Sequence, residues 1–134
     1  MMSKTVLQPA DWATPKGYAN GVAARGRLVF VAGQIGWNAQ CEFESDDLVD
    51  QVRQALLNVR TVLAQGGAGP EHITRMTWYL MDRRAYVARA AEIGRAYREV
   101  LGREFAIAMS AVQVARLVED RAQVEIEVTA AVPD

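Results

Sequence analysis

Two glutamates alternate with apolar residues near the C-terminus, in the run Val124-Glu125-Ile126-Glu127-Val128. Side chains on an extended strand point to opposite faces in turn. Both carboxylates therefore share one face, roughly 7 Å apart along the strand. On the outer face of a sheet such groups are ordinarily solvated. If a second surface covers that face, a carboxylate loses water and becomes a candidate general acid or base. The other reactive side chains stand alone. Cys41 lies in a loop beside Glu42 and Glu44, and negative neighbours raise a thiol's pKa, which works against a nucleophile. His72, the single histidine, follows Glu71 after the Gly69-Pro70 turn and reads as a surface residue at a strand entry. One cysteine and one histidine leave no disulfide, no zinc set and no multi-histidine centre, so neither metal nor cofactor is expected. Gly66-Gly67-Ala68-Gly69 follows a helix pattern instead of opening one, which makes it a cap and turn, not a phosphate loop. No G-x-S-x-G nucleophile elbow occurs.

The elements that must position the glutamates follow from apolar periodicity. Gly21-Val22-Ala23-Ala24 and the continuous run Leu28-Val29-Phe30-Val31-Ala32 flank Arg25-Gly26, which suits a tight hairpin. An unbroken apolar strand is usually covered on both faces. One layer of helices covers only one, so a partner is expected on the other. Leu48, Val52, Ala55, Leu56, Val59, Val62 and Leu63 recur at three- and four-residue spacing and predict a helix over 45–65. Ser45 is its expected N-cap, with Asp46 and Asp47 in the first turn. Residues 73–81 are β-branched and aromatic, hence a strand. A second helix over 84–101 carries Tyr86, Ala90, Ile93, Tyr97, Val100 and Leu101 as its apolar stripe, and Arg84, Arg89, Arg95 and Arg98 on a solvated face. Strands over 111–117 and 122–131 complete a β-β-α-β-α-β-β order. This predicts an α+β domain with a mixed sheet and both helices on one face.

At 134 residues, 51% apolar and 23% charged, the chain suits one globular domain with a substantial core. Residues 17–134 read as that domain, and residues 1–16 as an N-terminal segment with a candidate edge strand. A formal charge of -1 argues against nucleic-acid binding by bulk charge, which requires a basic surplus to displace counterions. No apolar run is long enough to span a membrane, and no leader-like h-region opens the sequence. A cytoplasmic location is the expectation.

The segments Gly17-Tyr18-Ala19-Asn20-Gly21-Val22, Val31-Ala32-Gly33-Gln34-Ile35, Val112-Gln113-Val114-Ala115-Arg116-Leu117 and Val124-Glu125-Ile126-Glu127 resemble the Rid family, the reactive-intermediate deaminases, also called the L-PSP endoribonuclease or translation-inhibitor family. The likeness runs from about Tyr18 to Ala131 in order and spacing. It implies a chorismate-mutase-like fold assembled as a homotrimer, the sheets forming a central barrel with ligand clefts between subunits. It further implies hydrolysis of enamines and imines such as 2-aminoacrylate. Carried onto this chain, Tyr18 matches the cleft tyrosine, Gly33 the cleft glycine and Glu125 the water-positioning glutamate.

The family's substrate-clamping arginine has no match. Its slot, within Ile107-Ala108-Met109-Ser110, holds Met109, and Ala111 stands where the family has a cysteine. Truncating one partner of a buried charge pair costs about 2–5 kcal/mol, and methionine offers soft apolar contact in its place. The resemblance then implies a cleft suited to a neutral or apolar ligand, with Met109 and Trp37 as candidate walls. Three functions are open. The first is a divergent hydrolase of a neutral enamine, imine or related metabolite, with Glu125 catalytic. The second is a trimeric binding protein without catalysis. The third is an endoribonuclease, which ranks last because no histidine pair and no Lys–aromatic stripe for RNA is present.

Overall fold

A computed structural model of the chain describes residues 4–134, so the first three residues of the N-terminal segment lie outside it. The elements run β1 (Lys4–Leu7), β2 (Gly21–Ala24), β3 (Arg27–Ile35), α1 (Leu48–Gln65), β4 (Ile73–Leu80), α2 (Arg83–Ala88), α3 (Ala90–Leu101), β5 (Ala108–Gln113) and β6 (Val124–Val132). A four-stranded mixed sheet has the order β3-β6-β4-β5, and β1 with β2 forms a separate two-stranded sheet. Pairing within the larger sheet is antiparallel except between β4 and β5.

Helices α1 and α3 lie on one face of that sheet. Val52, Ala55, Leu56, Val59 and Leu63 of α1 meet Val124, Ile126 and Val128 of β6 in a dry core. Burial alternates along β4, where Met76, Trp78 and Leu80 are buried while Thr77 and Tyr79 are half-buried. The opposite face carries no helix. Leu28 and Phe30 are 57% and 71% exposed there, while Val29 between them is half-buried and Val31 after them is buried. The double cover expected for this apolar run is thus absent within a single chain.

Four local expectations are corrected. Arg25-Gly26 does not close a hairpin between β2 and β3, because β2 pairs with β1 and β3 with β6. The strand expected over 111–117 lies earlier, at Ala108–Gln113, where Met109 pairs with Met76 and Gln113 with Leu80. The cap of α1 is Asp47, not Ser45. Its carboxylate accepts from the Val49 and Asp50 amides at 3.1 Å, while the Ser45 hydroxyl accepts from the Asp47 amide. Val62 is exposed, and Gln51 takes a core position instead. Its Nε2 donates to the Ser45 and Arg121 carbonyls and its Oε1 accepts from the Gln123 amide.

The expected second helix is broken at Arg89, which ends α2 and begins α3. A charge cluster sits at that break. The Arg89 guanidinium meets Asp47 at 2.5 Å and Glu92 at 2.9 Å. It joins the start of α1 to the junction of α2 and α3. The Arg89 hydrogen bonds hold the Asp47 and Glu92 carboxyls below their ordinary values. A carboxyl lowered by folding stabilises the fold at pH values above its unfolded pKa, and that contribution fades as pH falls through the folded value. Asp47→Asn retains a capping acceptor but loses the charge. It should melt below the wild type at pH 6, and the gap should close as pH drops through the depressed carboxyl range. Melting temperatures across pH 2.5–7 check this, and a gap that stays constant would count against it.

Candidate functional site

Register alone assigns the site residues to faces. Met109 is the parallel partner of Met76 and Ala111 that of Trp78, so both face the helices. Glu125 is opposite Tyr79 and Glu127 opposite Thr77, so both carboxylates take the bare face. The sheet itself separates the two groups.

On the helix side, at the β5 edge, lies a cavity of about 580 Å³ whose wall includes Tyr18 and Met109. Tyr18 reaches it because the Ala19 amide donates to the Ile107 carbonyl at 2.8 Å and Ala19 bridges Ala108 in parallel. This one bridge lays the segment before β2 along the start of β5. Aromatic rings form the deeper wall. Trp78 meets Tyr86 edge-on at 5.9 Å between ring centres, and Tyr97 stacks on Phe105 at 5.4 Å. The Tyr97 hydroxyl donates to the Glu104 carbonyl at 2.5 Å, and burial, then the Glu104 charge, raises its pKa. Lys16, Arg98 and Arg103 complete the rim, and among the described residues no carboxylate lines the cavity.

On the bare face, β3 carries a bulge. Val31 pairs with Val128 and Gln34 with Ile126, so Ala32 and Gly33 together oppose Glu127. The half-buried Glu125 carboxylate folds onto this bulge. A Cβ at residue 33 would fall 2.2 Å from Glu125 Oε2, so only glycine leaves room for it. Beside it the Tyr79 hydroxyl donates to Glu127 Oε1 at 2.5 Å. That bond, followed by desolvation and the charges of Glu127 and Glu125, raises the phenol's pKa.

The structure therefore brings Tyr18 to Met109, and Gly33 to Glu125, but does not join the two pairs within one chain. Trp37 meets neither. It lies after β3, 5.8 Å from Phe43, with its carbonyl accepting from Asn58 Nδ2. His72 is half-buried and structural, its Nδ1 accepting from the Gly69 amide. Cys41 is exposed. Arg27 donates to the Gly66 carbonyl and Arg116 is absent from the cavity wall. Among the described residues no group of His, Cys, Asp or Glu is arranged to hold a metal, and no helix is long and apolar enough to cross a membrane. The sequence reading missed Trp78, Tyr97 and the three rim cations. The helix stripe contained Tyr97, and the arginine-rich face contained Arg98, but neither showed what they would enclose.

A mixed sheet with its two main helices on one face makes this an α+β fold. The family model described as endoribonuclease L-PSP matches residues 10–132, and the chain belongs to that family. A RutC family protein of Synechocystis is 32% identical over 98% of this chain and 99% of its own length. TdcF of Escherichia coli, which carries a provisional name as a reactive intermediate deaminase, is 33% identical over 84% of each chain. The solved structure of YyfB from Yersinia pestis, of the Rid protein family, aligns at TM-score 0.82 and 31% identity over 98% of this chain and all of its own.

Gly33→Ala places a methyl group where Glu125 lies. It should push the flexible Glu125 side chain off the bulge and cost up to about 1 kcal/mol of stability, measurable by urea denaturation. An unchanged denaturation midpoint would mean that Glu125 does not need the space.

Proposed function

We propose that this protein hydrolyses a small enamine or imine in a cleft that two copies of the chain complete. The observation that carries this reading is the seat of Glu125 on the Gly33 bulge, on the sheet face opposite the Tyr18–Met109 cavity. Residues divided in this way converge only when the bare face or open edge of one copy meets another. The exposed Leu28 and Phe30 support such self-association, because burying each adds about 1.5–3 kcal/mol. A homotrimer is the assembly proposed. Its site would take Glu125 and Gly33 from one copy and Tyr18 and Met109 from a neighbour.

In this cleft an enamine would first tautomerise to its imine. Glu125 takes a proton from a water as the water oxygen bonds to the imine carbon, and the C=N electron pair moves to nitrogen. Glu125 returns that proton to nitrogen to give a carbinolamine, and transfer of the hydroxyl proton to the amine through the same carboxylate then breaks the C–N bond, so that ammonia leaves as the carbonyl forms. Tyr18 and Met109 hold the ligand body, and Met109 itself gives a carboxylate no partner. TdcF of Escherichia coli was solved with bound serine, and its structure aligns at TM-score 0.66 and 30% identity over 95% of this chain and 98% of its own. That supports a small-metabolite reading over a nucleic-acid one. A second reading, ligand binding without turnover, is favoured by Glu125 lying across the sheet from the cavity that Tyr18 and Met109 line.

Wild-type protein should be very slow on three-carbon 2-aminoacrylate. Met109→Arg should raise kcat/KM by tens- to a thousandfold, the scale of a restored charge pair. Adding Glu125→Ala should abolish the gain, as read by ammonia release. No gain in a folded Met109→Arg protein would favour the binding reading. Phe30→Glu should break the assembly in light scattering at micromolar protein, and a wild-type monomer there would sink the shared cleft. Highly purified protein should cleave no RNA, and a reproducible cleavage lost in Glu125→Ala would reverse the ranking.

A further inference from the structure

The missing arginine leaves β5 without a cation, but the cavity beside it is not without charge. Lys16 reaches its wall from the segment before β2, and Arg98 and Arg103 from the end of α3 and just past its cap, while among the described residues no aspartate or glutamate does. None of the three forms an ion pair among the described residues, whereas Arg53, Arg89 and Arg121 all do. A Cβ at residue 94 would lie 3.2 Å from Arg98 Nη1, so the guanidinium lies back along α3 over Gly94, which also lines the cavity. Arg103 follows directly after Gly102, the C-cap of α3.

Three unpaired cations above a floor of Trp78, Tyr97, Phe105 and Met109 make a two-part site. Its floor favours a flat or branched apolar body. Its rim favours an anion, and guanidinium groups suit a carboxylate because they offer paired donors in one plane. We propose that the Met109 cavity binds monocarboxylates with an aromatic or large apolar body, the carboxylate held by Arg98 and Arg103 with Lys16 adding charge. The cation that β5 lacks is supplied instead by the end of α3 and the residue beyond its cap. This rests on the cavity being the ligand cavity of the hydrolase reading, and it replaces the neutral ligand inferred from residues 103–116 alone with an anionic one. It also separates substrates by size. A three-carbon acid leaves the aromatic floor empty, while an arylacetate-sized acid covers it.

The test is calorimetric titration of the full-length protein with phenylacetate, phenylacetamide and acetate. Phenylacetate should bind, with phenylacetamide and acetate each at least tenfold weaker. Arg98→Gln and Arg103→Gln should each weaken phenylacetate at least tenfold. Arg95→Gln, on the same helix but outside the cavity wall, should leave its Kd unchanged. Raising the salt concentration should weaken phenylacetate and not phenylacetamide. Binding is read without turnover, so the two readings separate. Phenylacetate binding by these rules with no imine hydrolysis sinks the hydrolase and leaves the site. Failure of phenylacetate to bind at millimolar concentration overturns the site whatever the hydrolase assay shows. So does equal binding of phenylacetamide, or indifference to both arginine variants.

Discussion

Cover on one side only is the constraint from which the rest of this structure follows. A four-stranded sheet has two faces, and α1 and α3 dry just one of them. Each strand with period-two alternation then has a committed inner face and an uncommitted outer one. On β6 this sends Val124, Ile126 and Val128 to the helices and Glu125 and Glu127 away from them. On β4 it buries Met76 and Trp78 and leaves Thr77 and Tyr79 beside the carboxylates. A one-residue slip of β6 would put both glutamates in the core, so the energy of the core also fixes where the candidate chemistry lies.

Local departures from regularity refine that arrangement. The bulge at Ala32-Gly33 takes one residue out of the β3–β6 ladder, and the missing Cβ at Gly33 gives Glu125 its resting place. The break at Arg89 performs a different task. A continuous helix over 84–101 would have one axis. Dividing it lets α3 follow its own apolar stripe of Ile93, Ala96, Tyr97 and Val100 into the core, while Arg89 ties the junction to the cap of α1. That direction brings Tyr97 under the cavity and Arg98 to its rim.

The bare face and the open β5 edge are the costs of this economy in cover. Leu28, Phe30 and Val112 remain exposed in one chain, and Val112 lies on an edge strand whose only extra neighbour among the described residues is the bridge at Ala19. Unpaired edges and apolar faces favour association. Assembly and the cleft are therefore one question in this fold, since the same surfaces would serve both.

Much of the architecture was legible in the residues. The three-and-four spacing of Leu48, Val52, Ala55, Leu56 and Val59 predicted α1, and alternation at Val124, Ile126 and Val128 predicted β6, because those periods are set by backbone geometry that any sequence must obey. The motifs around Tyr18, Gly33 and Glu125 carried the family. Pairing partners were less legible. Arg25-Gly26 has hairpin chemistry, yet β3 pairs with β6, about a hundred residues away, because burial against α1 outweighs a local turn preference. Met109 was read as standing in the slot of a family cation, and β5 itself carries no basic residue. Which charges replace it depends on bringing Lys16, Arg98 and Arg103 together across some ninety residues. That was decided by the packing of α3 on the sheet and by one bridge at Ala19. Sequence by itself determined the periodic, local features and named the candidate groups. Tertiary structure decided which groups share a cavity and which lie across the sheet, because proximity between distant segments is set by how the whole core closes, a sum over many contacts that no local pattern encodes.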